Sequence, residues 1–363
     1  MASHGIDIRN LYKIFGPDEK AHIDAVRQGI TKAELNDRHH HVLGLRDISI
    51  DMPGGEITVV MGLSGSGKST LIRHINRLIE PTAGEVLYDG TDICAMSPAQ
   101  LRDFRRRKTA MVFQKFGLLP HRTVMENVLY GLDIQGMPRQ ESLAKGHYWI
   151  ERVGLSGFEN HYPNQLSGGM QQRVGLARAL ATDADILLMD EAYSALDPLI
   201  RVDMQTMLID LQQELQKTVV FITHDLDEAL RLGDKIAILR DGEVVQQGSG
   251  QDIVLRPADD YISAFVREVN RGRVIRIGTV MVPADNQSSQ QSAGQQSGHF
   301  KLAARTTLET AARAMVEQGV TEAQVTDKAG HQIGTIDLSI ILSAMVSPAQ
   351  SVQPGAQPAL AAE

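Results

Sequence analysis

The chain has 363 residues, 42% of them hydrophobic and 22% charged. That balance lets most of the chain bury enough apolar surface to fold, and the length suggests two domains. With 36 basic and 44 acidic residues the formal net charge is −8, which argues against a polyanion held by bulk electrostatics and so against nucleic acid as a partner. Cys94 is the only cysteine, and the N-terminus has neither the basic start nor the apolar run of a signal peptide, so a reducing cytosol is the expected compartment.

In chain order, an opening segment around Asn10-Leu11-Tyr12-Lys13-Ile14-Phe15-Gly16 is followed by a polar insert over residues 17–41. There Gly29 is expected to end one helix and Thr31-Lys32-Ala33-Glu34 to cap the next. His39-His40-His41 within this insert lacks the spacing and the carboxylate or cysteine partner of a metal site. Ile57–Met61 reads as a strand. Ser97-Pro98-Ala99-Gln100 is a capping box with proline at the first helical position, and Arg105-Arg106-Arg107-Lys108 reads as a solvated helix end whose cations complement the dipole.

Thr109–Phe113, Ile186–Met189, Val219–Ile222 and Ile236–Leu239 are further short β-branched or apolar runs, and the helical patterns between them imply a largely parallel sheet of the α/β class. Asp225 precedes Glu228 by three, a helix start, and Asp241-Gly242 marks a hairpin. Asn286–His299 has the composition of a flexible linker. Beyond it Thr307, Ala311 and Met315 suit a helix, with strands around Ala323–Thr326 and Ile333–Ile336. The uncharged run from Leu338 is interrupted by Pro348, Pro354 and Pro358, which rejects a membrane span. Residues 347–363 read as a disordered tail. The expected division is thus 1–272, a linker over 273–299, a small module over 300–346, and the tail.

Three motifs carry chemistry. Gly62-Leu63-Ser64-Gly65-Ser66-Gly67-Lys68-Ser69 follows a strand and opens a helix, as a phosphate-binding loop requires: its backbone N–H groups can close on a phosphate, Lys68 can reach the β- and γ-phosphates, and the Ser69 hydroxyl can hold Mg²⁺. Ile186-Leu187-Leu188-Met189-Asp190-Glu191 delivers two carboxylates where ligands collect in α/β sheets, Asp190 toward Mg²⁺ and Glu191 toward the water that attacks the γ-phosphate. Leu166-Ser167-Gly168-Gly169-Met170-Gln171-Gln172-Arg173 opens a helix whose free N–H groups and dipole point at an anion.

The last of these resembles the signature of ABC ATPases, and over about Ile6 to Phe265 the other elements follow in that family's order. The resemblance implies a P-loop ABC ATPase domain with a helical signature subdomain, ATP and Mg²⁺ as ligands, and a head-to-tail homodimer in which Ser167, Gly168, Gly169 and Gln171 meet the ATP of the opposite subunit. It further implies that Gly62 through Thr70 bind nucleotide, that Gln114 senses Mg²⁺, the attacking water and a permease, that Asp197 in Ser194-Ala195-Leu196-Asp197 works across the dimer, and that His224 contacts the γ-phosphate. Lys68, Glu191 and His224 would be the catalytic set, and Ser69, Gln114 and Asp190 the metal set. Phe15 sits where the family stacks adenine, with Tyr12 as a rival.

The stretch Asn10–Gly16, the insert, Met61–Thr70 and Met189-Asp190-Glu191-Ala192-Tyr193-Ser194-Ala195-Leu196-Asp197-Pro198-Leu199-Ile200-Arg201 together look like the ATPase of glycine betaine/proline importers. Residues 300–346 resemble a single CBS module, with Gly334-Thr335-Ile336-Asp337 as its closing strand. The likeness implies peripheral attachment at the cytoplasmic face of a bacterial inner membrane. The partners it implies are an integral permease and, indirectly, a periplasmic or lipid-anchored substrate-binding protein. The competing readings are the ATPase of an amino-acid importer and, outside transport, DNA-repair or ribosome-associated ABC ATPases. The short stretch between Gln114 and Leu166 without heptads, the single ATPase unit and the acidic balance weigh against the last two.

Overall fold

A computed structural model describes residues 4–114, 116–284, 300–327 and 329–346. The chain divides into two compact units, Met1–Ser249 and Gly250–Glu363.

In the first unit β1 (Ile6–Phe15) leads through α1 (Ile23–Arg27) and α2 (Lys32–His39) to β2 (Val42–Met52), its antiparallel neighbour. Next come β3 (Ile57–Met61), α3 (Lys68–Ile75), β4 (Ala83–Tyr88), β5 (Thr91–Asp92), α4 (Pro98–Arg107) and β6 (Thr109–Phe113). They are followed by α5 (Val124–Gln135), α6 (Arg139–Arg152) and α7 (Gly168–Ala181), which pack on one another as a helical group. The unit closes with β7 (Ile186–Asp190), α8 (Pro198–Leu215), β8 (Thr218–Thr223), α9 (Leu226–Leu232), β9 (Lys235–Arg240) and β10 (Glu243–Gly248).

The strands form two sheets, ordered β2-β1-β4-β5 and β10-β9-β3-β8-β7-β6. In the second, β9, β3, β8, β7 and β6 run parallel, as expected, and β10 adds by the hairpin at Asp241-Gly242, both residues having positive φ. Every residue of β3, β7 and β8 is buried, which is why these strands read as unbroken apolar runs. The antiparallel sheet differs from the expected single, largely parallel one. Its inward residues Ile8, Ile50 and Val86 join Leu71, Ile72 and Ile75 of α3 and Leu188 and Val220 of the parallel sheet in one core cluster, so α3 is held by apolar burial worth about 1.5–3 kcal/mol per large side chain.

The capping boxes at Thr31/Glu34 and Ser97/Gln100 form as expected. The basic helix end differs from its expected solvated state. Arg105 Nε donates to Asn76 O at 2.8 Å, its guanidinium also reaches Arg77 O, and Lys108 Nζ pairs with Asp185 at 2.7 Å. Two of the four cations therefore tie α4 and its exit to neighbouring segments.

In the second unit α10 (Gly250–Leu255), α11 (Asp260–Val266), α12 (Arg271–Val274) and α13 (Ile277–Val280) precede β11 (Val282–Pro283), β12 (Lys301–Ala303), α14 (Leu308–Glu317), β13 (Glu322–Thr326), β14 (Gln332–Asp337) and α15 (Leu338–Val346). The sheet order is β11-β14-β13-β12. Here the expected boundary at 272 and a linker beginning at 273 are corrected. Ile275 and Ile277 are fully buried, Leu308 N donates to Ile275 O at 2.9 Å, and Ile277 N donates to Thr306 O at 2.9 Å. Residues 273–284 are therefore part of the small unit. The Gln/Ser-rich tract and the tail lie outside the described residues. Among the described residues no helix is long and apolar enough to cross a membrane.

The insert docks on β1 and β2 through Val26 and Leu35, which pack with Tyr12, Ile14 and Leu43. His41, only 5% exposed, locks its return: Nδ1 lies 2.6 Å from His39 O and Nε2 2.5 Å from Pro17 O. Its ring covers Gly16, where a Cβ would come within 2.3 Å of it. A neutral imidazole has one N–H to offer two carbonyls, so the site favours the imidazolium. Contact with Pro17 O, then with His39 O, raises the His41 pKa, aided by Asp18 and Glu19, while the neighbouring His22 is pushed down by burial and by His41 and His39.

Because the folded pKa of His41 is raised, its stabilisation is complete below the ordinary value of 6.5 and is lost as pH rises through the folded value. Urea unfolding followed from pH 6.5 upward should show falling stability that His41→Gln flattens; an unflattened slope would assign the effect to another group.

Candidate functional site

The site lies where the parallel strands end. Gly62 follows β3, and the loop to Gly67 turns into α3 with Gly67 at φ 102°, where a Cβ would come within 2.7 Å of Leu45 Cδ2. Glycine alone fits that approach without strain. Leu63, Ser64 and Gly65 are exposed at the tip, Ser69 and Thr70 are half-buried, and Ser66 is buried with a hydroxyl that has no hydrogen-bond partner among the described residues. Lys68, also buried, folds back over the loop, donating to Gly62 O at 2.7 Å and Leu63 O at 3.0 Å. Burial lowers its pKa against the opposing pull of Glu191 and Asp190.

Asp190 ends β7 buried, accepting from Ser69 Oγ at 2.9 Å, with Arg73 at 3.8 Å. Glu191 leaves the strand in the left-handed region, φ 47°, and donates its N–H to Ile222 O at 3.2 Å. Its carboxylate is the hub of the site. Oε1 lies 3.9 Å from Lys68 Nζ and 3.8 Å from His224 Nδ1, and Oε2 accepts from Gln114 Nε2 at 3.0 Å. The Ser194 hydroxyl donates to Glu191 O at 2.9 Å and accepts from Gln114 Nε2 at 3.3 Å. The oxygen pair of Ser69 and Asp190 is the hard donor set that a magnesium ion prefers.

The expected residues thus fall into two groups. Lys68, Ser69, Gln114, Asp190, Glu191 and His224 converge at the loop. The signature residues make local contacts instead: Ser167 Oγ caps α7 by accepting from Met170 N at 3.3 Å, Gln171 Nε2 donates to Leu166 O at 3.2 Å, and Gly169 packs on Ile200. Asp197, exposed, caps α8 through Ile200 N at 3.1 Å. At the end of β1 Phe15 is 39% exposed, whereas Tyr12 is 8% exposed within the insert's core. That burial leaves Phe15 as the accessible ring of the two. Sequence reasoning missed Arg73 and gave no separate role to Ser194; only the latter had a signal, its place in the Ser194–Asp197 run.

A family model described as ABC transporter matches residues 45–194. The glycine betaine transport ATP-binding protein OpuAA of Bacillus subtilis is 52% identical over 280 residues, 77% of this chain and 67% of that protein. The trimethylamine N-oxide transport system ATP-binding protein TmoW of Pelagibacter ubique is 41% identical over 347 residues, covering 96% of this chain and 99% of that protein. Among solved structures, the dimeric ATP-binding cassette MJ0796 in a post-hydrolysis state bound to ADP and Pi superposes with a TM-score of 0.57 at 33% identity, covering 68% of this chain and 98% of that one. The likeness spans the loop, the acidic strand end and the signature helix alike, and with them this chain belongs to the ABC transporter family, among its ATP-binding proteins.

Proposed function

We propose that the chain is the ATP-hydrolysing subunit of an importer for quaternary amines and related osmoprotectants such as glycine betaine, choline and proline betaine. The observation that carries the hydrolytic reading is the Glu191 carboxylate held within 4 Å of Lys68, Gln114 and His224. In this reading Glu191 polarises the attacking water, Gln114 orients it, Lys68 swings from its loop carbonyls to the β- and γ-phosphates, and His224 contacts the γ-phosphate. Ser69, Asp190 and Gln114 would hold Mg²⁺, which supplies charge neutralisation at the phosphate oxygens. The backbone from Gly62 to Thr70 cradles the phosphates, and Phe15 stacks on adenine.

Ser167, Gly168, Gly169, Gln171 and Asp197 would serve the ATP of a second copy in a head-to-tail homodimer. Their position at helix starts, with Ser167 and Asp197 exposed and making only local capping contacts rather than contacts to the phosphate loop of their own chain, supports that assignment. A permease is the partner for an apolar groove of about 460 Å³ lined by Met111, Phe113, Leu119, Tyr130 and Ile134. Phe113, which precedes Gln114 in the chain, lines the groove together with Arg178, which donates to Gly117 O at 2.6 Å and Phe116 O at 3.2 Å. Binding there would carry closure to the membrane part. The chain would then sit peripherally at the cytoplasmic face of a bacterial inner membrane, with a substrate-binding protein acting indirectly from the other side. Within the second unit, residues 300–346 are proposed as a degenerate single CBS-like module with a structural or dimerising role.

One observation favours a second solute. The TmoW relative aligns over 99% of its length and 96% of this chain, while the OpuAA alignment covers 67% of that protein and 77% of this chain. Trimethylamine N-oxide therefore stands beside glycine betaine as the transported compound.

Uptake of labelled glycine betaine, choline and trimethylamine N-oxide, in cells lacking the gene and restored with wild type or Lys68→Ala, tests the whole reading. Loss rescued only by wild type names the solute; unchanged uptake of all three sinks the substrate class. In purified protein, Glu191→Gln should keep ATP affinity while turnover falls at least roughly a hundredfold, and retained turnover would remove Glu191 from its role. Phe15→Ala should weaken ATP binding about tenfold, whereas Tyr12→Ala should cost about 3–5 kcal/mol of stability with affinity little changed; calorimetry and denaturation separate the two.

A further inference from the structure

His224 is more than half exposed, and its ring is 3.8 Å from Glu191, beyond hydrogen-bond range. Its position therefore comes from the backbone on either side. On one side Asp225 N donates to Thr223 Oγ1 at 3.0 Å, and on the other Asp225 Oδ1 accepts from Glu228 N at 3.1 Å, capping α9. The second carboxylate oxygen, Oδ2, is turned instead toward Arg201 NH1 at 3.4 Å.

Arg201 lies in the first turn of α8, and its other nitrogen, NH2, donates to Leu196 O at 3.2 Å. Leu196 belongs to the turn that begins at Glu191, where Ser194 N donates to Glu191 O and Leu196 N to Tyr193 O, each at 3.2 Å. The guanidinium thus spans the turn carrying Glu191 and Asp197 and the turn carrying His224. Glu228, the other carboxylate nearby, has Gln205 as its own partner at 3.0 Å. A planar fork can hold a carbonyl and a carboxylate in fixed directions at once; a lysine ammonium on a flexible stem can hold only one of them in place.

We propose that Arg201 is a positioning residue for ATP hydrolysis, fixing His224 relative to Glu191 by bridging Leu196 O and the Asp225 carboxylate. This rests on the hydrolytic reading above. Both ends of the bridge lie in turns between elements, Leu196 buried and Asp225 half-buried, so its loss moves two reacting groups apart while leaving the phosphate loop and the adenine platform untouched. A fork that served only to fasten α8 would instead show its loss in stability.

Steady-state ATPase activity, binding of a fluorescent ATP analogue and thermal unfolding are measured on the full chain. Arg201→Ala should lower kcat roughly tenfold, with KM and analogue affinity changed less than about twofold. Arg201→Lys, which keeps the charge and guards against a folding failure, should recover only part of the loss. Asp225→Asn keeps an oxygen for the α9 cap but removes the charge, and should lower kcat similarly, with the double variant no worse than either single one. Additive losses, an unchanged kcat, or a kcat loss matched by equal losses of affinity and melting temperature would each overturn the proposal. Wild-type turnover in the same assay tests the hydrolytic reading separately, so an unaltered Arg201→Ala kcat beside an active wild type removes only the role of Arg201.

Discussion

Register between parallel strands is the constraint on which the site depends. Met61 pairs with Thr223, Phe113 with Asp190, and Asp190 with Ile222. The residues that come next, Gly62, Gln114, Glu191 and His224, therefore leave the sheet at one level. A slip of one residue would turn every side chain of a strand to the opposite face, and the apolar packing on both faces of β3, β7 and β8 is what forbids it. The chemistry is thus positioned by side chains that take no part in it, such as Leu188 and Val220 in the main core.

What the register delivers, local strain then aims. Glu191 sits at φ 47°, a conformation that costs a residue with a Cβ about 1–2 kcal/mol. The cost is offset by bonds that close the turn: its N–H to Ile222 O, and its carbonyl accepting from Ser194 N and Ser194 Oγ. Such over-determined outliers are characteristic of sites where direction matters. Here the result is that Asp190 and Glu191, adjacent in sequence, look to different partners, Ser69 for the first and Gln114, Lys68 and His224 for the second.

How much of this was legible follows from how locally each feature is encoded. The phosphate loop, the acidic pair and the capped helices are set by a few adjacent residues, and they stand where the sequence put them. The strands buried on both faces were visible as apolar runs. The antiparallel sheet was not, because β1 pairs with β2 and β4 through several register shifts that blur the alternation of its side chains. The limit of the second unit was missed because Ile275 and Ile277 find their partners at Thr306 and Leu308, across a tract that composition marks as a linker. Lys108 reads as a solvated cation because Asp185 is distant in sequence, and the Arg201 bridge to Asp225 leaves no local signal for the same reason.

Ser167 and Asp197 make no contact with the phosphate loop of their own chain among the described residues. The Ser167 side chain is committed to Met170 N and the Asp197 side chain to Ile200 N, so each caps a helix. With Met170 N taken by the cap and Gln171 N by Ser167 O, helix geometry leaves the N–H groups of Gly168 and Gly169 without intrahelical acceptors. They stand at the positive end of a 14-residue helix, Gly168 exposed and Gly169 half-buried against Ile200. An anion approaching there would meet backbone dipoles rather than a titrating charge. A surface of that kind would be insensitive to pH, which suits the role proposed for these residues toward the ATP of a second copy.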